Sequence, residues 1–214
     1  LNIFCGTGVD GEHDPSSEEP NIRKNALQYL KNCIDIAAQG NACAINGVLY
    51  APWQAFSDIP KEKRWENSAQ VLREAAEYGA EKGIDLHVEV INRFESDFMN
   101  TLEEGAAFLE KVNHAHVKLL VDTFHMNIEE DNIPEAIRLA GRKLGHLHVG
   151  ESNRKLPGMG SLPWRDIGRA LRDIGYEKGV VMEPFLLQGG EVARDCKVWR
   201  DLSGNADEKM LDRY

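Results

Sequence analysis

The sequence predicts an α/β fold of repeated βα units around a parallel sheet. Apolar runs of strand length alternate with amphipathic stretches of helix length along the whole chain. Acidic residues or a histidine stand at the C-terminal ends of four successive apolar runs, where a buried parallel strand should be continuously apolar. The composition is that of an ordinary water-soluble chain: 214 residues, 42% hydrophobic, 28% charged and 19 glycines.

In chain order, strands are expected at Asn2–Cys5, Ala42–Gly47, Asp85–Val90, Val117–Val121, Leu144–Val149 and Gly179–Glu183. Helices are expected near 17–38, 63–82, 101–112, 133–141 and 163–174, with a last one beginning near 206. Local punctuation supports these limits. Asn100 or Thr101 can cap a helix with Glu103 and Glu104 in its first turn, Ser161 stands ahead of Leu162 and Pro163, and Gly83 and Gly175 sit where helices should stop. No linker or change of composition divides the chain, so residues 1–214 are expected to form one domain.

Charge and motif content narrow the function. A formal net charge of −10 with no segregated basic patch opposes nucleic-acid binding. No run approaches the ~20 apolar residues of a membrane span, and residues 1–10 lack the basic start of a secretory signal, so a cytoplasmic location is expected. Cys5, Cys33, Cys43 and Cys196 are widely spaced without a CxxC pair, which suits reduced thiols. GxGxxG after a strand, GxxxxGK[ST] and GxSxG are all absent, which removes the markers of dinucleotide binding, P-loop phosphate transfer and an α/β-hydrolase triad.

The strand-end polar residues are Glu89, Asp122, His148 and Glu183. In a (β/α)8 barrel that rim carries the active site, and side chains there point at one centre. Three carboxylates and one imidazole form a hard donor set suited to Mn²⁺, Mg²⁺ or Co²⁺ rather than to a structural zinc. Any one of these carboxylates can instead cap the next helix or pair with an arginine. His146 shares a strand face with His148 and reads as a satisfied core residue or one that backs the ligands, while His125, three residues beyond Asp122, can reach over the same mouth without ligating the metal.

Three segments stand together: Glu89-Val90-Ile91-Asn92-Arg93-Phe94-Glu95, Asp122-Thr123-Phe124-His125-Met126-Asn127, and Gly145-His146-Leu147-His148-Val149-Gly150-Glu151-Ser152-Asn153-Arg154. With Val181-Met182-Glu183-Pro184-Phe185 and Val198-Trp199-Arg200-Asp201-Leu202-Ser203, the sequence resembles the ketose 3-epimerases, xylose isomerase-like TIM barrels acting on D-tagatose and D-allulose (D-psicose). The resemblance implies a (β/α)8 TIM barrel, here without its first two βα units and so made of the third to eighth strands. It implies an enzyme that epimerises free ketoses at C3, with Glu89, Asp122, His148 and Glu183 as ligands of a divalent metal, Mn²⁺ first and Co²⁺ or Mg²⁺ as alternatives. Glu89 and Glu183 would also be the two catalytic bases, and Glu95, His125, Arg154, Trp53 and Phe185 would contact substrate. The implied partners are a small ketose and further copies of the chain, as a dimer or tetramer. An aldose-ketose isomerase on the same barrel and a sugar-binding remnant without turnover stay open beside this reading.

Overall fold

A computed structural model describes residues 2–204, and within it six short strands pair in chain order into one parallel sheet. They are β1 (Phe4–Gly6), β2 (Ala44–Gly47), β3 (Asp85–Val90), β4 (Val117–Asp122), β5 (Leu144–Val149) and β6 (Gly179–Met182). The helices are α1 (Pro20–Gln39), α2 (Lys61–Lys82), α3 (Leu102–Val112), α4 (Thr123–Glu129), α5 (Ile133–Ala140), α6 (Trp164–Asp173) and α7 (Gly190–Asp195). The helix expected from about residue 206 lies outside the described residues.

Each long helix lays an apolar stripe on the sheet. In α1 the stripe is Ala26, Leu30, Ile34 and Ala37, and in α3 it includes Leu102, Phe108, Leu109 and Val112, all buried. Close approach of helix to strand depends on small residues. A Cβ at Gly79 of α2 would stand 2.6 Å from the Ile84 carbonyl oxygen, and one at Gly105 of α3 would stand 2.9 Å from the Val90 side chain. Tyr50, Trp65, Phe98 and Phe108 form an aromatic cluster between α2, α3 and the β2 loop, with Tyr50 stacked on Phe98 at 4.6 Å.

The sheet curls into a half-barrel. The Phe4 ring on β1 lies 4.2 Å from the His146 ring on β5, and a Cβ at Gly179 on β6 would be 2.6 Å from the Phe4 ring. The first strand therefore faces the fifth and sixth across the interior, as right-handed strand twist accumulated over six strands brings about. The β6 edge stays open. Val180, Val181 and Met182 are 51%, 42% and 52% exposed, values foreign to the buried strands β3 and β4.

Strands β1 and β2 each begin two residues later than expected and α1 begins at Pro20, and three further differences lie nearer the rim. Strand β6 ends at Met182, which puts Glu183 one residue past the ladder, although its amide still donates to the Val149 carbonyl at 3.1 Å. Helix α4 follows β4 with no loop, because the Asp122 carboxylate caps it by accepting from Phe124 N at 2.9 Å. Helix α7 is a single polar turn and a half, too short for a periodic signal. At the start of α3 it is Thr101 that caps, accepting from Glu104 N.

Candidate active site

Parallel pairing brings the ends of β3 to β6 to one rim. Asp122 is in register with His148, and His148 with Val181. Because side chains alternate across a strand, Glu89, Asp122 and His148 share the concave face with His87 and His146 one layer below. Glu89, His146 and His148 border a cavity of about 590 Å³, also walled by Phe4, Asn46, Trp53 and Phe185.

His148 is the centre of the first group. Its Nδ1 is buried without a hydrogen-bond partner and faces Glu183 Oε1 at 3.4 Å and Glu89 Oε1 at 3.8 Å. The ligand-type atoms of Glu89, His148 and Glu183 lie within 4.8 Å of one another, and so do those of Glu89, Asp122 and His125. Glu89 belongs to both groups. The four expected ligands thus gather around Glu89, with Asp122 turned partly toward a cation. Arg154 Nη1 donates to Asp122 Oδ2 at 2.6 Å and stands 3.7 Å from Glu183 Oε2.

Crowding carboxylates in a dry site separates their proton affinities. Burial, and then the neighbouring Glu183 charge, push Glu89 up to about 8. Burial also raises Asp122, to about 6, although Arg154 and the Phe124 amide pull it down. Glu183 ends below the ordinary glutamate range, since the attraction of His148 and Arg154 outweighs its burial. His148 is raised, burial being overcome by Glu183, Glu89 and Asp122.

Arg154 is held by its surroundings. Its guanidinium lies 3.8 Å from the Phe124 ring centroid and 4.8 Å from that of Phe185, between two aromatic faces. Its backbone is left-handed, with φ 62°, in a loop organised by the fully buried Glu151. The Glu151 carboxylate accepts from Gly158 N at 2.7 Å, Leu162 N at 3.3 Å and Trp164 Nε1 at 2.6 Å. Glu151 has no signature in the sequence beyond its place in a motif. Its role follows from donors up to 13 residues away.

A second chain of contacts crosses the mouth. Trp53 Nε1 donates to Glu95 Oε2 at 2.8 Å, and Asn92 Nδ2 donates to Glu95 Oε1 at 2.8 Å. Asn92 Nδ2 also lies 2.7 Å from His125 Nδ1. Burial holds His125 well below the usual histidine range, with Arg154 and His148 adding to the effect. The structure brings all five expected substrate contacts, Trp53, Glu95, His125, Arg154 and Phe185, to the same cavity wall. Asn92 was not singled out as a site residue from sequence, and Cys196 at the end of α7 also lines the wall.

His146 corrects one expectation. It is fully buried, but neither ring nitrogen has a hydrogen-bond partner. It packs against the tilted Phe4 ring instead, and burial lowers its pKa to about 4, which keeps it neutral.

A curled parallel sheet with its polar residues on the C-terminal rim defines a barrel-type enzyme, and the comparisons specify which. Residues 1–202 match the family described as xylose isomerase-like TIM barrel, and the chain belongs to that family. Within it the chain belongs with the ketose 3-epimerases, which are isomerases. It is 48% identical to the D-psicose 3-epimerase of Ruminiclostridium cellulolyticum, covering 100% of this chain and 73% of that protein, and 43% identical to the one of Agrobacterium fabrum, covering 98% and 73%. The crystal structure of D-psicose 3-epimerase with D-tagatose from Clostridium cellulolyticum H10 superposes with a TM-score of 0.94, at 48% identity, over 100% of this chain and 74% of that one.

Proposed function

We propose that this chain epimerises free, unphosphorylated ketoses at C3 in a metal-dependent reaction, interconverting pairs of the D-fructose/D-allulose and D-tagatose/D-sorbose type. The observation that carries the reading is the convergence of Glu89 and Glu183, from strands three apart in the sheet, on the unpartnered Nδ1 of His148.

That buried, unpartnered nitrogen among carboxylates fits a hard divalent ion held by Glu89, Asp122, His148 and Glu183, with Mn²⁺ the best match and Co²⁺ or Mg²⁺ alternatives. When bound, the ion supplies Lewis-acid polarisation of the substrate C2 carbonyl. Epimerisation needs a base on each face of C3. One of the two glutamates takes the C3 proton as the C–H electron pair moves into the carbonyl, and the other returns a proton to the opposite face of the enediolate. Arg154, His125 and Glu95 orient the sugar by directed hydrogen bonds, and Trp53 and Phe185 keep water out.

The setting of this reading is a cytoplasmic homo-oligomer acting on a small sugar. Among the described residues no helix is long and apolar enough to cross a membrane.

Incubation with D-fructose and Mn²⁺ in D₂O tests the proposal. D-allulose carrying deuterium at C3 is the expected product. Deuterium at C1 alone supports aldose-ketose isomerisation instead, and absence of both exchange and product supports a sugar-binding remnant.

A further inference from the structure

We infer that Asn92 is a positioning residue that sets the tautomer of His125, leaving its Nε2–H as the proton offered to the sugar. The inference deepens the reading above, because it rests on His125 facing substrate. Its physical core concerns the resting protein alone.

The orientation of the Asn92 amide is fixed by its other partners. Asn92 Oδ1 accepts from the backbone N–H of Phe94 at 2.9 Å, so the remaining atom is the NH₂ group. That group donates to Glu95 Oε1 at 2.8 Å, a carboxylate that can only accept when ionised. Its second hydrogen then points at His125 Nδ1, 2.7 Å away, which must be a bare acceptor. The backbone N–H of Asn92 is directed at the same nitrogen from 3.3 Å.

Two donors on Nδ1 leave no place for a proton there, and a ring with a bare Nδ1 cannot be the imidazolium. His125 is therefore neutral with its proton on Nε2, the nitrogen free to serve the cavity it lines. Asn92 is only 1% exposed, so little solvent competes with it for His125 in the folded protein. A single buried amide thereby couples the two arms of the mouth, Glu95 with Trp53 on one side and His125 on the other.

Nitrogen-15 NMR of histidine-labelled wild-type protein tests the tautomer without any substitution. The His125 signals, assigned by their loss in His125→Gln, are expected to show a bare Nδ1 and a protonated Nε2. A protonated Nδ1 overturns the inference whatever the activity. In Asn92→Asp a carboxylate replaces the amide, and His125 is expected to acquire a proton on Nδ1. With a ketose substrate kcat should then fall by roughly 10- to 100-fold, the effect typical of losing an outer partner of a functional histidine. Asn92→Ala, which removes the side-chain donor without adding a charge, should show the same fall with bound divalent ion unchanged. An unshifted His125 spectrum in a folded Asn92→Asp protein, or kcat unchanged in both variants, overturns the positioning role. Inactivity of the wild type itself would bear on the proposed reaction and leave the tautomer result standing.

Discussion

Arg154 donates to Asp122 at 2.6 Å across 32 residues of sequence, and the carboxylate it reaches is wholly inaccessible to solvent. A buried carboxylate with one charged partner loses heavily when that partner goes, since the remaining charge is stranded in a poor solvent. The same guanidinium is also clamped between Phe124 and Phe185, so its position is determined by packing as much as by charge.

Arg154→Lys should therefore fail to restore what Arg154→Ala removes. A flexible ammonium keeps the charge but cannot lie flat between two rings. Turnover of a ketose should fall roughly 10²-fold in both, the scale of a misplaced contact. Steady-state assays of the two variants check this, and wild-type-like activity in Arg154→Lys would show that charge alone suffices.

Glu89 makes the metal-free protein sensitive to pH. Its folded value of about 8 lies above the ordinary 4.5, so its contribution to stability is full below about 4.5 and is lost as pH rises toward 8. Melting temperature of metal-free wild type should drop over that window relative to Glu89→Gln, in which the titration is gone. Parallel wild-type and variant curves would contradict the assignment.

Divalent ion should raise stability, by about 2.7 kcal/mol at a hundredfold excess over Kd, and chelation should reverse the gain. Glu183→Gln removes one oxygen facing His148. Calorimetric titration with Mn²⁺ should show a loss beyond the roughly 10- to 100-fold caused by removing an outer partner. Unchanged affinity in Glu183→Gln would remove Glu183 from the ligand set.

Gly47 closes β2 with φ 139°, and a Cβ there would collide with the Thr7 carbonyl oxygen. Gly47→Ala should destabilise by about 1–3 kcal/mol or more through backbone strain and the forced shift of the β1 loop. Urea unfolding measures it. Because Gly47 and Thr7 both line the cavity, KM should rise as well.

The order of βα units is legible in the sequence, because buried parallel strands and helix stripes write their periods directly into hydrophobicity. The sequence also marks Glu89, Asp122, His148 and Glu183, since charge at the end of an apolar strand is conspicuous in any single chain. Helices α4 and α7 were not legible, one being fused to its strand through the Asp122 cap and the other too short to show a period. How those side chains divide their partners is set by the folded arrangement. That Asp122 turns to Arg154, that His148 Nδ1 is left unpartnered, and that Asn92 joins Glu95 to His125 depend on atoms 3 to 33 residues apart meeting in one curled sheet. Residue type fixes what a group can donate or accept, whereas the curl of the strands fixes which donor arrives and how much water remains around it.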